Sequence, residues 1–235
     1  MDDIKAELKW RANPEKAAFF PRFFKAGLGE YAEGDKFLGI TVPNQRSIAK
    51  KYLKSISLTD TIGLLHESWH EERLTALFIL VLKYQKGTAE ERAKVVEIYL
   101  ANTAHVNNWD LVDSSAPYIL GNWLLDKKDR KILNKLASSK VLWERRIAII
   151  STLEFIRNNQ FADTLNLAEK LLGDKHDLMH KAVGWTLREV GKKAPELLTD
   201  FLDKHATTMP RTALRYAIER MSEKTRRHYL NLKTA

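Results

Sequence analysis

Asp113 is the residue in this chain best placed by type and spacing to do chemistry. The stretch Asn107-Asn108-Trp109-Asp110-Leu111-Val112-Asp113 predicts the opening of a helix. At about 100° per residue, Val112, Ala116, Ile119, Leu120, Trp123 and Leu124 share one apolar arc. Trp109 and Asp113, one turn apart, fall inside it. A carboxylate among core positions is costly unless something pairs with it or uses it. Used, it can stabilise positive charge that develops in a reaction, or align and deprotonate a water. Paired, it is half of a buried ion pair. Arg146 is the natural partner, since it lies in the apolar arc of its own helix with Leu142, Ile149 and Leu153. Ion-pair networks of that kind also perturb carboxylates, so both readings stand at this point.

Trp185 is a second aromatic of interest. Its predicted helix buries Met179, Ala182, Val183, Thr186 and Val190, and the indole points elsewhere, between Lys181 and Arg188. An indole bracketed by cations suits sugar or base faces while the cations hold phosphates. The alternative is cation–π packing on a neighbouring helix. Arg211, Arg215, Arg220, Arg226 and Arg227, with Lys192 and Lys193, extend the basic character toward the C-terminus. His66-Glu67-Ser68-Trp69-His70 matches the zinc-protease pattern H-E-x-x-H, but that chemistry needs one uninterrupted helix and a third ligand. Here the motif straddles a predicted helix boundary. No Gly-rich phosphate loop or nucleophile elbow is present, which argues against nucleotide-dependent and serine-hydrolase chemistry. No lysine stands out as a Schiff-base nucleophile.

The elements that must position these residues are helices. Pro and Gly fall mostly between periodic segments, Thr88-Ala-Glu-Glu91 reads as a capping box, and Pro210 suits a first helical turn. Tyr31 to Val42 reads as a loop that closes an N-terminal helical unit. Several helices begin alike, with basic residues at Arg73, Arg146, Lys181 and Arg211, spaced 73, 35 and 30 apart. The helix of Asp110 and Asp113 fills the longest interval. A period in this range, two helices per repeat, marks a helical solenoid of about six pairs. The expectation from the period is an all-α solenoid of helical pairs stacked into one curved array. It would form one domain over 1–235, with 1–42 an N-terminal unit and 43–235 the stacked pairs.

The 235 residues are 44% hydrophobic and 29% charged, an ordinary globular balance. No apolar run approaches the roughly 20 residues of a membrane span. The acidic start Met1-Asp2-Asp3 is unlike a secretory signal, and there is no cysteine for disulfides or thiolate chemistry. A cytoplasmic protein is expected. The net charge of +9 is unevenly spread: residues 1–129 carry 18 basic against 18 acidic side chains, and residues 130–235 carry 21 against 12. A basic surface confined to one half points to a polyanionic partner, because phosphate contacts release counterions.

With those residues in view, nearly the whole chain resembles the bacterial DNA alkylation repair glycosylases of the AlkD type. The resemblance rests on Phe37-Leu-Gly-Ile-Thr-Val-Pro43, Trp69-His-Glu-Glu-Arg73, Trp109-Asp-Leu-Val-Asp113 and Trp143-Glu-Arg-Arg146. It continues through Lys181-Ala-Val-Gly-Trp-Thr-Leu-Arg-Glu189 and Met209-Pro-Arg-Thr-Ala-Leu-Arg-Tyr-Ala-Ile-Glu219. It implies a right-handed superhelical solenoid of HEAT-like repeats that holds duplex DNA in a concave basic groove, and a cofactor-free, monofunctional glycosylase that releases positively charged N3- and N7-alkylated purines. It also implies a monomer with no membrane partner. By position, Asp113 matches the catalytic carboxylate. Trp109 and Trp185 match aromatics that contact deoxyribose, and Arg146 an arginine on the DNA backbone. Lys181, Arg188, Arg211 and Arg215 would add phosphate contacts. Where the family can place a tyrosine against DNA, this chain has Phe23-Phe24, which can stack but cannot donate a hydroxyl bond. A non-catalytic helical-repeat protein that binds damaged or branched DNA is the alternative, although such proteins would be expected to lose the acid or an aromatic.

Overall fold

The computed structural model describes residues 1–232 and is all-helical. Among them no strand forms, and a single parallel bridge joins Lys36 to Trp69. No described helix is long and apolar enough to cross a membrane. The chain divides into two compact units, Met1–Ile119 and the part from Leu120 onward.

The first unit runs α1 (Asp2–Trp10), α2 (Pro14–Phe24), α3 (Val42–Tyr52), α4 (Leu58–Leu65), α5 (His70–Lys86), α6 (Ala89–Ala101) and α7 (Trp109–Asp113). Its axis is α5, which is buried without interruption from His70 to Val81. A helix that is covered on every side needs neighbours on every side, and α1, α3, α4, α6 and α7 all pack on it. Leu77 and Ile79, wholly buried there, each contribute about 1.5–3 kcal/mol. The capping box predicted at Thr88 and Glu91 opens α6. Tyr31 to Thr41 is the irregular segment that the sequence indicates, and it is firmly held. The Glu71 carboxylate accepts the backbone N–H groups of Leu38, Gly39 and Ile40 at 2.9, 2.8 and 3.2 Å. Gly39 has φ 78°, and a Cβ there would stand 2.2 Å from the Asn13 carbonyl. Only glycine fits this left-handed turn against the start of α2.

The segment that opens with Trp109 is shorter than its periodicity suggests. It predicts one helix through Leu124, whereas α7 ends at Asp113, a π-helical turn spans Pro117–Gly121, and α8 (Asn122–Leu124) follows. Ser115 Oγ bonds back to the Leu111 carbonyl at 2.6 Å, which competes with helix continuation. Pro117 has no N–H to give. The apolar arc nevertheless buries as expected at Val112, Ala116, Ile119, Leu120 and Leu124. Trp123 stays half-exposed with Lys127 over its ring.

The second unit continues with α9 (Lys131–Ala137), α10 (Leu142–Ser151), α11 (Leu153–Arg157), α12 (Ala162–Leu171), α13 (Asp177–Lys193), α14 (Pro195–His205), α15 (Arg211–Ala217) and α16 (Glu223–Asn231). Its axis is α13, against which α10, α11, α12, α14 and α15 pack. The approach of α15 is close at Gly184, where a Cβ would meet the Ala213 carbonyl at 2.4 Å.

Candidate active site

In the first unit, Trp109 and Asp113 border one cleft of about 440 Å³. Phe20, Phe23, Phe24, Val42, Arg46 and Tyr118 supply much of the remaining wall. Asp113 is the last residue of α7, half-buried, and lines the cleft. Phe23 is 51% exposed and meets the Trp109 indole edge-on at 5.9 Å. Phe24 is only 8% exposed and stacks on the same indole at 5.5 Å with 21° between the planes. The two phenylalanines therefore differ in kind: Phe23 offers a face to the cleft, and Phe24 is the base on which Trp109 rests. Arg46 is exposed and holds its guanidinium 4.1 Å from the Phe78 ring centre. With Tyr118 it also borders an adjoining groove lined by Lys50 and Gln85.

Beneath the cleft lies a buried network of charges. His70, at the first turn of α5, places Nε2 2.8 Å from Asp110 Oδ2 and Nδ1 3.2 Å from Asp35 Oδ2. Arg73, one turn along, donates to Asp35 Oδ1 at 2.6 Å. Burial disfavours charge on the imidazole, but the carboxylates of Asp110 and Asp35 outweigh it and raise the His70 pKa from 6.5 to about 9. Burial would likewise raise Asp35, and its bonds to His70 and Arg73 hold it below the ordinary aspartate value. Asn108 connects this network to α7, since its Oδ1 accepts the Trp109 N–H at 2.8 Å while its Nδ2 reaches toward Asp35.

The zinc-like motif is resolved by the same geometry. His66 caps the end of α4 and His70 opens α5, so the two histidines belong to different helices. His66 stacks on His105 at 4.0 Å, and His70 has carboxylates at both nitrogens.

The other residues singled out from the sequence belong to the second unit. Arg146 is buried on α10 and donates to the Leu178 carbonyl at 2.7 Å. Trp185, half-buried on α13, borders a shallow pocket with Leu153, Ile156, Arg157 and Lys192. Lys181 pairs with Asp177 at 2.6 Å, and Arg188 pairs with Glu219. Arg211 is half-buried and donates to the Leu230 carbonyl at 2.7 Å, whereas Arg215 is exposed. Spacing shows that these cations lie near Trp185 on α13 and on the helix packed against it. It does not show that several of them already have partners.

Sequence reasoning missed His70, Asp110, Asp35, Arg73, Glu71 and Arg46. A signal existed for the first, because Trp69-His-Glu-Glu-Arg73 sets charged residues at the mouth of a strongly apolar helix. Its value lay in partners 35 and 40 residues away.

The described residues form an all-helical fold in which Asp113 and Trp109 line one aromatic-walled cleft, a candidate site for electrostatic or general-base work. The sequence matches the family of DNA alkylation repair enzymes over residues 4–221, and the chain belongs to that family. No curated protein sequence matches it. A solved structure of a predicted DNA alkylation repair enzyme from Enterococcus faecalis shares the fold with a TM-score of 0.70 at 19% identity, covering 91% of this chain and 98% of that one. AlkD2 from Streptococcus mutans is similar with a TM-score of 0.58 at 16% identity, covering 87% of this chain and 97% of that one.

Proposed function

We propose that this protein is a monofunctional DNA glycosylase, which hydrolyses the N-glycosidic bond of positively charged N3- and N7-alkylated purines in duplex DNA. The observation that carries the reading is the pairing of Asp113 with Trp109 on one cleft, in a chain of the alkylation repair family. Alkylation at N3 or N7 makes the purine a cationic leaving group, so no strong general acid is required. As the bond lengthens, positive charge moves onto the sugar. The Asp113 carboxylate stabilises that oxocarbenium-like state and aligns or deprotonates the attacking water. The indole face of Trp109 holds the cationic sugar through its polarised C–H groups. The exposed ring of Phe23 adds a stacking surface beside it, and no cofactor takes part.

Duplex binding follows from the cations. Arg46 has no acidic partner among the described residues, and its packing on Phe78 holds it ready for a phosphate at the cleft. In the second unit, Trp185 supplies a sugar contact and Arg146 a backbone contact. Lys181, Arg188, Arg211 and Arg215 bind phosphates, for which Lys181 and Arg188 give up surface pairs worth about 0–1 kcal/mol each.

The test is release of 7-methylguanine or 3-methyladenine from methylated duplex. Asp113→Asn keeps shape and removes charge, so release should fall by about 10²–10³-fold, the range for one preorganised charge, while duplex affinity stays within about 2-fold. Undiminished release by that variant would sink the assignment. A wild-type chain that binds alkylated duplex and releases no base would favour a non-catalytic binding protein.

A further inference from the structure

We propose that His70 is a positioning residue: as an imidazolium bridging Asp35 and Asp110, it fixes the helix that carries Trp109 and Asp113. Its effect on rate rests on the glycosylase reading of the cleft, and the bridge itself does not.

An ionised carboxylate only accepts, so bonds at both ring nitrogens of His70 require both N–H groups, which only the cation has. A neutral ring would turn a lone pair toward one of the two oxygens, at 2.8 Å for Asp110 or 3.2 Å for Asp35. The charged groups that face the ring are Asp35 from the 31–41 loop, Asp110 from α7 and Arg73 from α5. From α2 comes the uncharged ring of Phe24 at 4.8 Å, and from the loop that of Phe37 at 5.1 Å. His70 is thus reached by the loop, α2 and α7 at once.

Two routes lead from the imidazole to the cleft. One runs through Asp110, whose other oxygen accepts the Leu111 N–H at 2.9 Å and so ties the first turn of α7. The other runs through Phe24, which packs on both His70 and the Trp109 indole. A five-residue helix has little stability of its own. Its direction must come from such anchors. If the imidazole loses its proton, one of its two carboxylate bonds is replaced by repulsion and both routes loosen together.

The full chain labelled with 5-fluorotryptophan tests this by fluorine NMR, the Trp109 resonance being assigned with Trp109→Phe. In wild type that resonance should move with a midpoint near pH 9. In Asp110→Asn the midpoint should fall by about one unit or more, since one stabilising carboxylate is gone. In His70→Gln, which carries no charge and no second nitrogen to face the other carboxylate, the resonance should be displaced and should lose the titration. On alkylated duplex His70→Gln should lower kcat by about 10–100-fold with KM within about 2-fold, the signature of a misplaced group. A wild-type Trp109 resonance flat through pH 9, or one unmoved by His70→Gln, overturns the proposal. Should His70→Gln not fold, the wild-type and Asp110→Asn titrations decide. A wild type that releases no base defeats the glycosylase reading and leaves the fluorine titration to judge the bridge.

Discussion

Removing the proton from His70 should cost the folded protein a measurable part of its stability, and the structure sets both the size and the pH window. The folded pKa is about 9 against an ordinary 6.5. A raised pKa means that the native state holds a proton which the unfolded chain gives up first. The contribution is therefore complete below about pH 6.5, shrinks by about 1.4 kcal/mol per pH unit above it, and is gone once the pH passes the folded value. The total is about 3 kcal/mol, and almost complete burial of the ring leaves little solvent to screen it. Asp35, whose folded pKa is lowered, contributes on the acid side, where stability is lost as the pH falls through its folded value. It therefore leaves the window between 6.5 and 9 to His70. Urea unfolding followed by far-UV circular dichroism at half-unit steps from pH 6 to 10, for wild type and His70→Gln, isolates the effect, because groups common to both proteins cancel. The difference in unfolding free energy should decline by about 3 kcal/mol across the window. A difference that stays level from pH 6 to 10 refutes the doubly bonded imidazolium.

Other expectations follow from single contacts. Arg46→Ala should reduce the salt slope of duplex binding by about one phosphate contact and weaken binding evenly across sequences, as read by fluorescence anisotropy at several salt concentrations; an unchanged slope removes Arg46 from the interface. Glu71→Ala strands three buried N–H groups, those of Leu38, Gly39 and Ile40. It should cost about 3 kcal/mol or more in chemical denaturation, and a loss below about 1 kcal/mol would mean that the loop has another anchor. Gly39→Ala places a methyl group 2.2 Å from the Asn13 carbonyl at a positive φ. At about 2 kcal/mol or more it should lower the melting temperature by about 4–8 °C, and an unshifted melt would contradict the close approach.

Much of the fold was legible because helices announce themselves locally. The capping box at Thr88, the breakers between segments and the irregular stretch after Tyr31 are all decided within a few residues. The break after Asp113 was legible too, in Ser114-Ser115 followed by Pro117, but the apolar periodicity across it was the louder signal. The burial pattern honours that periodicity, since the core face carries on through a turn that is no longer α-helical. At the cleft, Asp113 stood out because a carboxylate departed from what its helix face called for, and Trp109 because it lies one turn away on that face. Asp35, His70 and Asp110 were illegible for the opposite reason. Each is an ordinary polar residue in its own segment, and only the fold closes 35- and 40-residue gaps into a network. Charge arithmetic had a similar limit, since it located the excess in the C-terminal half without showing that Lys181 and Arg188 already hold ion pairs.

The two acids of α7 show why such a network is needed. Asp110 and Asp113 are three residues apart on one short helix, and like charges so close repel each other. Their surroundings separate them. Asp110 is buried, and its charge is spent on a histidine cation and on the Leu111 N–H of its own helix. Asp113 is half-buried at the cleft, where its charge is within reach of whatever enters. Paired carboxylates in unlike environments divide the labour in many hydrolases by splitting acid from base. Here the division is between structure and reaction. His70 supplies the counter-charge for Asp110, so the two carboxylates of α7 do not stand side by side uncompensated. The acid that looked misplaced among core positions thus lines the cleft, and the one that is buried comes with its counter-ion. Asp110→Asn should accordingly do more damage to folding than Asp113→Asn, and Asp113→Asn more damage to base release. The reverse order in paired denaturation and release assays would mean that the roles assigned to the two acids are exchanged.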